Sequence, residues 1–148
     1  MIQPIRIRDV EIGSGVPKII VPIVGKTSEA ILAKAAEIAR MPIHMVEWRV
    51  DFYEDVFDVA KTLATLAQLR SALGALPLLF TFRTQKEGGE KAISIEQYTA
   101  LNLAVAASGN VDFIDVEIFS GDAVVKKNIE GIHAAGVRVV GSNHDFFA

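Results

Sequence analysis

The sequence contains no cysteine, and that absence excludes disulfides, thiolate catalysis and cysteine-bound zinc. It also lacks any apolar run approaching the roughly 20 residues that span a bilayer. Its first residues do not show the basic-then-apolar layout of a signal peptide, so no membrane partner is expected and a cytoplasmic location follows by default. Acidic and basic residues nearly balance. The formal net charge is −3, and no basic cluster or aromatic platform accompanies the lysines, which argues against a nucleic-acid partner. What is present is 148 residues, 51% hydrophobic and 22% charged, the composition of a soluble globular protein with a real core. A single domain over residues 1–148 is expected.

Taken in order, residues 5–8 alternate apolar and charged, and residues 10–12 do so again after Arg8-Asp9, a short hairpin ended by Gly13-Ser14-Gly15. Residues 18–24 are nearly continuous apolar, as expected of a strand buried on both faces of a parallel sheet. A first helix is expected over 28–40, with Ile31, Ala35 and Ile38 on one stripe, Thr27 or Ser28 as its cap, and Pro42 beyond its end. A second is expected over 55–73, where Val56, Val59, Leu63, Leu66 and Leu73 recur at helical spacing before Gly74. Ser94-Ile95-Glu96-Gln97 has the spacing of a capping box and opens a third helix that runs to Ser108-Gly109. A fourth passes through Val125, Ile129 and Ile132 to Gly136. Strands are expected at 78–83, 111–119 and 137–141.

The stretch 43–52 reads as a further strand, yet it carries three charges two residues apart. Glu47, Arg49 and Asp51 then share one face, with Val46, Trp48 and Val50 opposite. Because buried charges are costly unless paired, such a face either forms an internal salt-bridge ladder or grips a charged ligand. The remaining acids, arginines and one histidine follow the same rule of place. Arg83 and Glu87, Asp115 and Glu117, and His144 all fall in the C-terminal half of a strand or just past it.

Strands alternating with helices at about 30 residues per unit imply parallel strands joined by crossovers. Two folds remain, an open doubly wound sheet and a (β/α)8 barrel. Charges at the C-terminal ends of four separate strands favour the barrel, since an open sheet concentrates its contacts at one switch point. Eight units need about 250 residues, and the chain holds about five, so it is expected to be the N-terminal part of a barrel without strands six to eight.

Four phrases together resemble one family: Glu47-Trp48-Arg49-Val50-Asp51; Leu78 through Arg83 with Lys86-Glu87-Gly88-Gly89-Glu90; Asp115-Val116-Glu117; and Ser142-Asn143-His144-Asp145-Phe146. In order and spacing they look like type I 3-dehydroquinate dehydratase, a (β/α)8 barrel of the shikimate pathway that converts 3-dehydroquinate to 3-dehydroshikimate and water without metal or cofactor. The resemblance implies a cytoplasmic lyase of aromatic amino acid biosynthesis. It implies a lysine that forms a Schiff base with the substrate ketone and a histidine that moves the protons. His144 matches that histidine, Glu87 its glutamate partner, and Glu47, Arg49 and Arg83 match substrate-contacting positions. Asp115 and Glu117 fall at acidic positions of the same pocket, one layer behind the substrate. An imidazole suits both proton steps because it accepts and donates near neutrality, and a guanidinium suits a polyhydroxylated carboxylate.

Two departures accompany the resemblance. Pro22 stands where some members have a substrate-side serine. The Schiff-base lysine of the family lies on the sixth strand, and the lysines here, at 18, 26, 34, 61, 86, 91, 126 and 127, sit at strand starts, on helices or in loops. The chain alone is therefore expected to be inactive, and its open sheet edges are expected to drive homodimerisation, aggregation or association with a C-terminal partner. Two other classes stay open: a non-catalytic half-barrel that binds a small carboxylate or a partner chain, and a metal-dependent lyase using Glu47, Asp115, Glu117 and His144. His44 and His133 read as scaffold, Lys126-Lys127 as a solvated face, and Gly88-Gly89 as the hinge of a lid.

Overall fold

The computed structural model describes residues 3–147; Met1, Ile2 and Ala148, which the expected domain includes, lie outside the described residues. The chain opens with an antiparallel hairpin of β1 (Ile5–Ile7) and β2 (Val10–Ile12), with Arg6 opposite Glu11. Its turn places Arg8 at φ +51°. That side chain reaches Asp112, just ahead of the fourth strand of the main sheet: Arg8 Nε lies 2.9 and 3.1 Å from the two carboxylate oxygens. Arg70 Nη1 donates to the same carboxylate at 3.2 Å, and the Leu78 amide donates to it at 2.9 Å. The hairpin is thus pinned near the N-terminal ends of the strands.

Five strands follow in one sheet: β3 (Ile20–Ile23), β4 (Met45–Arg49), β5 (Leu78–Thr81), β6 (Phe113–Glu117) and β7 (Arg138–Ser142). Their spatial order equals their chain order and every pairing is parallel. Helices α1 (Ser28–Ile38), α2 (Val59–Leu73), α3 (Ile95–Ala107) and α4 (Asp122–Ala134) occupy the four crossovers. These are successive βα units of a (β/α)8 barrel. Local chemistry sets the helix starts. Thr27 accepts from the Ala30 amide, Asp58 from that of Lys61, and Ser94 and Gln97 form the reciprocal box.

One face of the sheet is dry. Val46, Trp48, Leu78, Phe80, Ile114 and Val116 are buried there in one cluster with Ile31 and Ile38 of α1, Leu66 and Leu69 of α2, Leu101 and Val105 of α3, and Ile132 of α4. The alternation that turns these residues outward turns Glu47, Arg49, Thr81, Asp115, Glu117 and Ser142 to the opposite, inner face. Between β5 and β6 the ladder covers only Leu79↔Phe113 and Phe80↔Ile114. Beyond it Tyr98 of α3 takes over, its hydroxyl donating to the Asp115 carbonyl at 3.3 Å and accepting from the Glu117 amide at 3.1 Å.

Three expectations are corrected. The stretch 43–52 is not strand throughout: β4 ends at Arg49, and a 3₁₀ turn covers Val50–Phe52, so Asp51 leaves the strand face. The second helix begins at Val59 because Asp58 caps it, although Val56 is buried in the turn before. The run 18–24 is not buried on both faces. β3 pairs only with β4 among the described residues, Val21 and Ile23 pack on the helical side, and Ile20 is 41% exposed. The Ile19 carbonyl accepts from Met45 on the β4 side. By alternation the nitrogen of Pro22 faces the free edge, where a missing N–H removes no bond to β4.

Candidate active site

The inner face gathers its charges at the C-terminal ends of β4 to β7. Glu47 accepts from Thr81 Oγ1 at 3.1 Å, across the β4–β5 pairing. Arg49 makes a two-point contact with Asp51, Nε to Oδ1 and Nη2 to Oδ2, both 2.9 Å, and its guanidinium lies 5.2 Å from the centre of the Phe52 ring. The hydrogen bond to Asp51 is the main reason its pKa is raised further, against the opposing effect of burial. Asp51 is fully buried and also accepts from the backbone amides of Arg83 (3.4 Å) and Glu90 (3.1 Å). It therefore ties the end of β4 to the loop after β5.

Arg83 is the centre of the cluster and is only 7% exposed. Its Nη2 meets Asp115 Oδ1 at 3.1 Å, and its Nη1 meets Glu117 Oε1 at 3.1 Å and Ser142 Oγ at 2.8 Å. Ser142 in turn donates to Asp115 Oδ1 at 2.8 Å. Burial alone would lower the pKa of this guanidinium, but the charges of Asp115 and Glu117 and their hydrogen bonds outweigh it and raise it. Glu117 also accepts from the Thr84 amide (2.9 Å) and hydroxyl (2.8 Å), which fixes the first residue of the loop. Three strands are thus locked around one cation.

That loop brings Glu87 back over Arg83, with Glu87 Oε2 3.6 Å from Nη1. The same oxygen accepts from the backbone amide of His144 at 3.1 Å and lies 3.1 Å from its Nδ1. An ionised carboxylate only accepts, so Nδ1 carries the hydrogen and the neutral ring keeps its lone pair on Nε2. The His144 side chain is 42% exposed. The result is a half-open imidazole with a fixed tautomer above a buried guanidinium, able to take up and return a proton.

All seven residues singled out in the sequence lie at this end of the sheet. Glu87 with His144, and Arg83 with Asp115 and Glu117, are in direct contact; Glu47 and Arg49 occupy the neighbouring strand. Sequence reasoning placed Asp51 on the charged face and weighed an internal salt bridge there, which the Arg49–Asp51 pair forms, but it missed Lys91 as part of the site's frame. Lys91 Nζ donates to the carbonyls of Asp51 (2.7 Å) and Tyr53 (2.9 Å). His44 accepts from the Ile19 amide through Nδ1 at 2.9 Å and serves the start of β3. Among the described residues no three His, Asp or Glu side chains converge as metal ligands, and none of the helices is long and apolar enough to cross a membrane.

A family model for type I 3-dehydroquinase matches residues 19–148. The 3-dehydroquinate dehydratase of Clostridium botulinum (strain Eklund 17B / Type B) is 52% identical over 143 residues, which is 97% of this chain and 56% of that protein. The enzyme of that name from Listeria monocytogenes serovar 1/2a is 49% identical over 140 residues, again 56% of its length. The solved type I 3-dehydroquinate dehydratase of Clostridium difficile superposes with a TM-score of 0.97 at 43% identity, covering 100% of this chain and 58% of that one. That of Enterococcus faecalis gives 0.93 at 43%, covering 97% and 60%. The chain thus spans a little over half the length of the relatives it matches.

Proposed function

Because the chain belongs to the type I 3-dehydroquinase family, we propose that its inner face is the acid–base part of a dehydratase acting on 3-dehydroquinate. The observation that carries this reading is the Glu87–His144 pair, an imidazole whose Nε2 is left free by a carboxylate on Nδ1. In the reaction, His144 Nε2 takes the proton from the carbon beside the substrate ketone. The same nitrogen then returns a proton to the departing hydroxyl, so that a C–H and a C–O bond break, a C=C bond forms and water leaves. Glu87 keeps the ring in the right tautomer and orientation.

Arg49, whose Nη1 has no partner among the described residues, and Glu47 are proposed to meet the substrate directly. Arg83, matched by resemblance to a substrate contact, has both terminal nitrogens engaged by carboxylates and Ser142. In this reading it supplies positive charge from beneath the ligand and orders Glu87. The amine of the Schiff base is proposed to lie outside residues 1–148. In support, no lysine occupies an inward position of β3 to β7. Lys91 is held by two carbonyls, and Lys86 borders a shallow groove with His144, Asn143 and Phe146.

The test combines this chain with a separately produced C-terminal segment of a relative, adds 3-dehydroquinate, and follows the absorbance of the conjugated enone. Borohydride then traps any Schiff base for peptide mass spectrometry. Product is expected only with both parts present, with the adduct on the added segment, and His144→Ala is expected to lower turnover more than binding. Stoichiometric adduct on Lys86 of the chain alone would overturn the location of the amine. A folded two-part complex that makes no product would overturn the dehydratase reading.

A further inference from the structure

Phe146 lies two residues past His144 and is 66% exposed, which by itself suggests no role. Its ring, however, sits on Gly88. A Cβ added at Gly88 would lie 2.8 Å from Cζ and 2.9 Å from Cε2 of that ring, closer than carbon atoms pack. Gly88 has φ +86° and ends the 3₁₀ turn Gln85–Glu87 that carries Glu87. Within that turn Glu87 N donates to the Thr84 carbonyl at 3.0 Å and Gly88 N to that of Gln85 at 3.2 Å. Gly89 must also be glycine, since a Cβ there would fall 1.8 Å from the Arg83 carbonyl oxygen.

The segment bearing His144 is held at both ends. At one end Ser142 is fixed by Arg83 and Asp115; at the other the Phe146 ring rests on Gly88, and the Asp145 carboxylate accepts from the Phe147 amide at 2.9 Å. We infer that Phe146 and Gly88 are positioning residues: one contact sets both the turn that presents Glu87 and the segment that presents His144, and so fixes the hydrogen bond between them. Glycine is needed at 88 for two separable reasons, the left-handed backbone and the room for the ring. Asparagine tolerates the first and denies the second. The inference deepens the proposed acid–base site and rests on it for its meaning in catalysis, but the geometry can be tested without turnover.

The test reads the tautomer of each neutral imidazole by ¹⁵N NMR in the 148-residue chain. His144 should hold its hydrogen on Nδ1, facing Glu87. His44, whose Nδ1 accepts from the Ile19 amide, should hold it on Nε2 and reports that the fold is intact. In Phe146→Ala and in Gly88→Asn the Nδ1–H form of His144 should be lost while His44 is unchanged, and the double variant should be no worse than Phe146→Ala alone, because the two changes remove one contact. If Gly88→Asn unfolds the chain, as His44 would show, Phe146→Ala decides. An unchanged His144 tautomer in Phe146→Ala, or additive effects in the double variant, would overturn the inference. In the two-part enzyme, Phe146→Ala should lower kcat by about 10²-fold with little change in KM, since a misplaced base costs rate more than binding. A tautomer that shifts while neither form makes product would leave the positioning role standing and reject the dehydratase reading.

Discussion

Tyr98 offers a quantitative test of how β6 is held. Its hydroxyl is 2% exposed with the rest of the residue and bridges the Asp115 carbonyl and the Glu117 amide. Burial, reinforced by the charges of Glu117 and Asp115 and opposed by the Glu117 amide, pushes its pKa from the ordinary 10 up to about 12. The neutral phenol is therefore favoured in the folded state, and the folded chain holds a proton that the unfolded chain has lost between those values. Stability from this group is complete below pH 10 and is lost as pH rises toward 12, by about 3 kcal/mol in all and about 1.4 kcal/mol by pH 11. Tyr98→Phe removes the effect, at a cost near neutrality of about 1–3 kcal/mol for two buried backbone groups left unsatisfied. Urea unfolding of both proteins followed by far-ultraviolet circular dichroism, from pH 8 to pH 11, gives their difference in stability. The wild-type advantage should shrink by about 1.4 kcal/mol over that range. A difference that stays constant would refute the buried, bridging phenol.

Replacing Arg83 by methionine should cost about 3–5 kcal/mol in urea unfolding, because it leaves Asp115 and Glu117 buried beside each other without a cation; a loss below 1 kcal/mol would mean that these acids are wetter than their burial indicates. Asp112→Ala should destabilise by about 1–3 kcal/mol, chiefly through half-buried Arg70 and the Leu78 amide, and limited proteolysis should cut the hairpin first; an equally resistant hairpin would show that Arg8 adds no hold. The exposed apolar residues of β3 and its flanks, Ile19, Ile20 and Val24, should drive concentration-dependent association in sedimentation across the micromolar range, reduced in Ile20→Lys. A strictly monomeric wild-type chain would count against that. In the two-part enzyme, Glu47→Gln should lower the fraction trapped by borohydride, and an unchanged fraction would remove Glu47 from the substrate's surroundings.

Much of this architecture is legible in the sequence because it rests on periodicity and local chemistry. The capping box at Ser94 and Gln97, the terminator at Gly136 and the apolar run of β5 each have a physical signature within a few residues. What was misread lies where period and structure part company. Two-residue alternation continues through Asp51 although the backbone has already turned, since a 3₁₀ turn can bury Val50 and still point the next side chain at Arg49. Helical spacing likewise extends back to Val56, because a buried turn residue is as apolar as a helical one; only the Asp58 cap marks the boundary. The exposure of β3 depends on what stands beside it in space, which no local pattern encodes. Nor could spacing reveal that the glycines at 88 and 89 lie against a ring 58 residues away in the chain and against the carbonyl of Arg83.

The charge balance of the inner face bears on which chemistry it can support. Five carboxylates, Glu47, Asp51, Glu87, Asp115 and Glu117, surround two guanidiniums, Arg49 and Arg83, and the pairings above use most of the positive charge. On the proposed reading, a substrate carboxylate entering such a site meets a surplus of its own sign, offset here by Arg49 and Arg83. A positive charge forming on the substrate meets the opposite situation. If the ketone is converted to an iminium, the surplus stabilises it, and most of all near Glu47 and Glu87, which are less completely enclosed than Asp115 and Glu117. An enolate formed without the amine would be disfavoured by the same groups. The electrostatics of this part of the barrel therefore suit a covalent, cationic intermediate on the proposed reaction. They also give the acids around Arg83 a second consequence beyond holding three strands together.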